Sequence, residues 1–346
     1  ENLNEKLWAM FILEEEAHLV KDEHGRVLSK SVNFDPIIPI VSIKQYENGF
    51  YPIWPNGKRF AVCLTHDVDW AYPPRRHFKR AVNEARRRLA VHKELMWRFG
   101  SLTNWKFFNP YSILKIARIE KEFSATSTFM IKATPLEQLN ARYEEYYEVE
   151  FLAGELTRLI DEGWDAGLHA GYSSHDNPDR LSKERAILQR ALNGYPIRGV
   201  RMHYLRFSYP DTWLAVEKAG FVYDSTLGFP DHPGFRNGMC YPFRPVINGR
   251  RLALLEIPLA VMDTTFWGYM HVNVVYALEL VKKIASVVEK IGGVLTLLWH
   301  NNTFCDLLYG DWGRMYKSLL KYFASREAWL TNCLNIYEYW SSHYDL

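Results

Sequence analysis

The chain has 346 residues, 48% of them hydrophobic, enough for one large domain or two ordinary ones built around a sizeable core. Its 42 basic and 40 acidic residues leave a formal charge of only +2, so nothing global calls for nucleic acid or a polyanion as partner. The cysteines Cys63, Cys240, Cys305 and Cys333 lie far apart with no CxxC pair, which speaks against a zinc cluster or a disulfide scaffold and for a reducing compartment.

The N-terminal stretch "ENLNEKLWAMFILEEEAHLV" is acidic and lacks the basic-then-apolar layout of a secretory leader. No apolar run reaches about 18 residues, so the expectation is a soluble, cytoplasmic chain. Residues 1–57 read as an appendage: a short helix, a hairpin around "KDEHGRVLS", then a Pro-rich, aromatic stretch from "DPIIPIV" to "YPIWPNG" that ends in a turn. From Lys58 to the C-terminus at 346 the texture changes to short apolar strands alternating with amphipathic helices. Strands are expected near 60–66, 126–132, 165–169, 198–203, 221–224, 253–261 and 293–299. Helices such as "FLAGELTRLIDEG" and "NVVYALELVKKIASVVEKIGG" close on Gly, as a helix stop should. This alternation implies an α/β fold with a parallel sheet, and so many units favour a barrel or barrel-like sheet. A helical insertion is expected between Tyr72 and about Lys121, after the first strand. Its segment 75–98, "RRHFKRAVNEARRRLAVHKELMWR", sets many Arg and Lys against only Glu84 and Glu94. That is either a solvated basic face or a contact with an anionic carrier, a membrane surface or a partner subunit.

Parallel α/β folds build their sites at the carboxyl ends of strands, so polar residues there carry more meaning than elsewhere. Four expected strands end in such residues. The first delivers His66, Asp67 and Asp69, the third His169, the fourth Arg201 and His203, and the last His300. Two or three imidazoles with one carboxylate and an open position are what a catalytic zinc or similar divalent ion requires. Asp67 and Asp69, two apart on an extended segment, point the same way, so one can bind metal while the other handles protons.

From Lys58 onward these residues resemble, in order, the polysaccharide deacetylases of the NodB-homology type, carbohydrate esterase family 4. In that family a first strand ends T-F-D-D; here "THDVD" looks like a variant in which Asp67 keeps the general-base position and Asp69 takes the metal. The second motif, H-S/T-x-x-H, is matched by His169, but Ser173 stands where its second His belongs. The resemblance leaves two replacements for that third ligand, His203 of "RMHY" and His175 of the polar loop, and favours His203 because it is fixed at a strand end. Arg201 matches the Arg that pairs with the catalytic Asp, His300 of "LLWH" the general acid, and Asp263 the carboxylate that supports it. The resemblance therefore implies a distorted or incomplete (β/α) barrel at 58–346, a divalent cation (zinc first, with nickel, cobalt or manganese as alternatives), and an N-acetylated sugar of a bacterial surface polysaccharide or its precursor as substrate. Amide hydrolases acting on small ureides share the fold, so a non-sugar amide stays open. Two other readings compete: a glycosyltransferase whose DVD motif holds a nucleotide-bound cation, and a non-catalytic carbohydrate-binding relative. The first leaves His169, Arg201, His203 and His300 unexplained.

Overall fold

Buried apolar runs separated by amphipathic helices are satisfied by a parallel sheet that keeps its helices outside, and this is the arrangement found. A computed structural model describes residues 3–13, 16, 18–73 and 111–344. The chain begins with α1 (Leu3–Phe11), a hairpin in which Lys21 pairs with Val27, and α2 (Ile40–Glu47). No helix is expected from the sequence at α2; Pro39 occupies its N-cap, and its buried Val41 and Ser42 bond to the segment 238–240. Then come β1 (Ala61–Val68), α3 (Ile113–Lys121), β2 (Thr128–Ile131), α4 (Glu150–Asp161), β3 (Asp165–Ala170), α5 (Pro178–Ala191), β4 (Gly199–Met202), α6 (Asp211–Lys218) and β5 (Tyr223–Asp224). A small antiparallel pair follows, β6 (Val246–Ile247) with β7 (Arg250–Arg251). The rest is β8 (Leu255–Glu256), β9 (Leu259–Met262), α7 (Val274–Lys290), β10 (Val294–Leu298), α8 (Asp306–Tyr309), α9 (Trp312–Ser325), β11 (Trp329–Thr331) and α10 (Cys333–His343). Of the expected basic insertion, residues 74–110, with the whole of 75–98, lie outside the described residues.

The main sheet runs β8-β5-β4-β3-β2-β1-β10-β9, every pairing parallel. β8 bonds to β5 and β9 to β10, yet only Ile257 and Pro258 separate β8 from β9. The expected strand 253–261 is thus split at Pro258, which has no N–H to give to a ladder. One run of chain supplies both edges of the sheet and draws it into a distorted, incomplete barrel. β11 pairs with Ala61–Cys63 on the side of β1 where β2 pairs with Thr65–Val68, so β1 is flanked along its whole length. All eight residues of β1 are buried.

The helices pay their way by amphipathicity. In α9 the buried residues Trp312, Met315, Tyr316, Leu319, Leu320 and Phe323 recur at three- and four-residue spacing and face the sheet. Asn273 and Asn177 cap α7 and α5 by accepting from Tyr276 N and Arg180 N. Gly199 lets β4 pass beneath the Tyr223 ring, where a Cβ would lie 1.8 Å from ring carbons; the Tyr223 hydroxyl in turn donates to Asp165 at 2.6 Å. Among the described residues no helix is long and apolar enough to cross a membrane.

Candidate metal centre and its flanking groups

The carboxyl ends of β1, β3, β4, β9 and β10 meet around one cavity of about 420 Å³, within the range of small-molecule sites. Alternation along β1 decides what enters it. Asp67 and Asp69 line the cavity, while His66 lies on the other face, with Nδ1 against Trp299 O at 2.7 Å and Nε2 against Glu120 Oε1 at 2.9 Å. His66 is part of a buried polar network with Trp164, Ser127 and Tyr316 on Glu120. It has no access to the site.

Asp69, His169 and His203 each aim one ligand atom at a common point, all within 4.8 Å of one another. Asp69 Oδ1 lies 3.4 Å from His169 Nε2 and 3.3 Å from His203 Nε2. Tetrahedral zinc, with bonds of about 2.0–2.2 Å, holds its ligand atoms roughly 3.4 Å apart. Asp69 Oδ1 is buried and takes no hydrogen bond, so the three groups converge without satisfying one another. An orphaned oxygen between two imidazoles fits a divalent cation. Burial opposes the charge on Asp69, but the facing His169 and His203 rings, helped by His300, hold its carboxyl well below the ordinary range. Burial pushes His203 down, toward the neutral form a ligand needs. Behind it, Glu144 Oε1 stands 3.7 Å from Nδ1, which is buried without a hydrogen-bond partner. His175 is outside this group and outside the cavity lining, with its Nδ1 3.6 Å from Asp176.

Two ionisable pairs, Asp67 with Arg201 and His300 with Asp263, flank the three. Asp67 Oδ2 is 3.6 Å from His169 Nε2, and its Oδ1 accepts from Arg201 Nη1 at 3.1 Å. Arg201 is fully buried inside the barrel, bonded also to Thr65 Oγ1, Ser225 O and Ser225 Oγ at 2.6–2.8 Å. With every one of these bonds fixed, the guanidinium holds Asp67 in one orientation. His300 follows β10 and turns Nε2 toward Asp69 Oδ2 at 3.9 Å, while Nδ1 meets Asp263 Oδ1 at 2.6 Å. Asp263 is itself buried and accepts from Thr303 Oγ1 and from the backbone N–H groups of His300 and Thr264. Burial disfavours the imidazolium, yet Asp263, with Asp69 and Asp67, pushes His300 up to about 10.

Other cavity residues escaped the sequence reading. Lys132 ends the expected strand 126–132, so the strand-end rule contained its signal. Glu144 lies in the acidic-aromatic run "RYEEYYEVE", which singles out no position. Arg26 comes from the N-terminal hairpin and had no sequence signal at all. It donates to Asp22, to Tyr204 O at 3.1 Å and to the Tyr269 hydroxyl at 2.7 Å. Tyr204 and Leu205, directly after His203, have φ of 62° and 53°, a conformation that costs non-glycine residues about 1–3 kcal/mol and is held by such contacts.

Solved structures share this architecture. A putative polysaccharide deacetylase from Mycobacterium smegmatis matches with a TM-score of 0.54 at 18% identity, over 84% of this chain and 92% of that one. A probable polysaccharide deacetylase from Pseudomonas aeruginosa PAO1 matches with a TM-score of 0.54 at 15% identity, over 91% of this chain and 100% of that one. The Puue allantoinase matches with a TM-score of 0.57 at 15% identity, over 91% and 99%. No family model and no curated protein matches the sequence. The fold is that of a NodB-like polysaccharide-deacetylase domain, the distorted barrel expected from the sequence.

Proposed function

We propose that the chain is a divalent-cation-dependent hydrolase that removes an N-acetyl group from a sugar of a bacterial surface polysaccharide or its precursor. The observation that carries this reading is the convergence, in one cavity, of the Asp69, His169 and His203 ligand atoms with an Arg-held carboxylate and a carboxylate-held imidazole. A cation held by Asp69, His169 and His203, zinc first and nickel, cobalt or manganese as alternatives, supplies Lewis acidity that acidifies water and polarises an acyl carbonyl. Asp67, oriented by Arg201, takes the proton of the attacking water. His300, kept cationic by Asp263, gives a proton to the departing amine, which is a poor leaving group as an anion. In this reading residues 58–346 are the catalytic unit, and 1–57 are an appendage that lends Arg26 to the cavity wall. The four cysteines are buried, with Cys63 Sγ 3.3 Å from Cys333 Sγ, and the proposed setting is the reducing cytoplasm.

The test is acetate release from N-acetylated sugars by protein stripped with a chelator and reloaded with single metals. Release that follows metal content is expected. Sugar transfer from a nucleotide diphosphate sugar without acetate release would favour the glycosyltransferase, and sugar binding with neither activity the non-catalytic module.

A further inference from the structure

Lys132 directly follows β2, whose neighbours in the sheet are β1 and β3, so it reaches the barrel end that holds Asp67, Asp69 and His169. It is only 5% exposed, and it lines the cavity. An ammonium has three N–H donors; the hydrogen bond Lys132 makes is to Glu145 O at 2.8 Å. Among the described residues it forms no ion pair, its remaining close contact being the Tyr147 ring at 5.5 Å. Burial pushes Lys132 down, and Asp69, Glu144 and Glu145 oppose this only from longer range. Of these, Asp69 belongs to the cation of the proposed reading, and Glu144 accepts from Tyr172 N and Asn140 N.

A buried cation with no carboxylate in contact is costly, and a ligand that brings the missing charge recovers that cost. Two more donors share the cavity. Arg142, exposed at its edge, stacks over the Tyr143 ring at 5.2 Å and forms no ion pair among the described residues. Trp267 Nε1 is buried without a hydrogen-bond partner. The other cations of the wall differ in being neutralised, Arg26 by Asp22 and His300 by Asp263, each at 2.6 Å.

We infer that Lys132 and Arg142 form a subsite for an anionic substituent, a carboxylate or a phosphate, so that the substrate is an acidic acetamido sugar. The inference rests on the deacetylase reading and deepens it. The test is calorimetric binding to the full chain loaded with one metal, using N-acetylglucosamine, N-acetylglucosaminuronate and N-acetylglucosamine 1-phosphate as probes. An acidic sugar should bind at least about tenfold more tightly than the neutral one, as expected for a hydrogen bond to a charged group. Which acid binds better separates carboxylate from phosphate. Lys132→Met should bring acidic and neutral sugars to similar affinity, and Lys132→Arg should keep part of the difference. Arg142→Ala, at an exposed position that cannot unfold the barrel, should lose a smaller part. Equal affinity for neutral and acidic sugars in wild type, or an acid preference unchanged in both Lys132→Met and Arg142→Ala, overturns the subsite. Acetate release is followed in parallel. Lys132-dependent binding with no acetate from any sugar would sink the deacetylase reading and spare the subsite; equal turnover of neutral and acidic sugars would do the reverse.

Discussion

Replacing Asp263 by asparagine keeps the size of the side chain beside His300 and removes its charge. In the native chain burial works against a cationic His300, and the Asp263 carboxylate at 2.6 Å, with Asp69 and Asp67 behind it, raises the pKa from 6.5 to about 10. That rise is worth on the order of 5 kcal/mol, at about 1.4 kcal/mol per tenfold change in proton affinity. Because the folded value is raised, the stabilisation is complete below pH 6.5 and is lost as the pH climbs through about 10. In Asp263→Asn burial faces only the two more distant carboxylates. His300 should then titrate near or below its ordinary value, and the alkaline loss of stability should largely vanish. NMR titration of the imidazole in metal-free protein, with urea denaturation across about pH 6 to 10, measures both. A cation at Asp69 offsets that carboxylate, so loaded wild type should titrate lower than metal-free wild type but above the variant, and its acetate release should persist to higher pH than that of Asp263→Asn. A His300 that titrates near 10 with and without Asp263 would refute the reasoning, as would wild-type stability that is flat over this interval.

Asp69→Ala should lose metal and activity together, whereas Asp67→Asn should keep metal and lose activity about 10²-fold or more, as expected for removal of a general base; the opposite metal contents would exchange the two roles. His203→Ala should bind metal far more weakly and His175→Ala as well as wild type, read by metal analysis after dialysis; full metal content in His203→Ala would move the third ligand to His175. His300→Ala should lose much more activity on acetamides than on an aryl acetate, whose phenolate needs no proton, and equal losses would deny it the role of acid. Burial pushes Asp224 up to about 6 against the opposing hydrogen bonds of Thr226 and Glu256, so its folded form favours the proton and stability falls as the pH rises from 3.8 through that value. Asp224→Asn should therefore stabilise the fold above about pH 6 and change little near pH 4 in urea titrations, and a variant no more stable at neutral pH than wild type would contradict it.

The strands that carry the site were legible because each is a buried apolar run stopped by a polar residue, and the period of two along β1 separates Asp67 and Asp69 from His66 before any coordinates are seen. β11 and the β6–β7 pair were not legible: three residues or fewer make no periodic signal, and tertiary pairing alone defines them. Expected strand 198–203 ends one residue early, at Met202, because His203 turns into a helical bend that leads to the left-handed Tyr204. Pro258 sits in a run apolar enough to read as one strand, and only the pairing of its two halves shows that they serve different neighbours. Lys132 and Glu144 were overlooked for another reason. Their importance comes from what surrounds them in space, and single charges next to aromatic residues are common on any surface.

The run that supplies both β8 and β9 has a consequence for how the molecule assembles. Asp263 follows it immediately, while His300 arrives at the end of β10, so their contact spans the seam where the sheet's last stave meets its neighbour. A partly folded chain with β1 to β5 in place would already hold Asp67, Asp69, His169, Arg201 and His203 on adjoining strands, and so could bind a cation. It would still lack a paired His300, because that dyad forms only once the final strands dock. Under the proposed function, a chain arrested before the final strands dock would take up a cation and release no acetate.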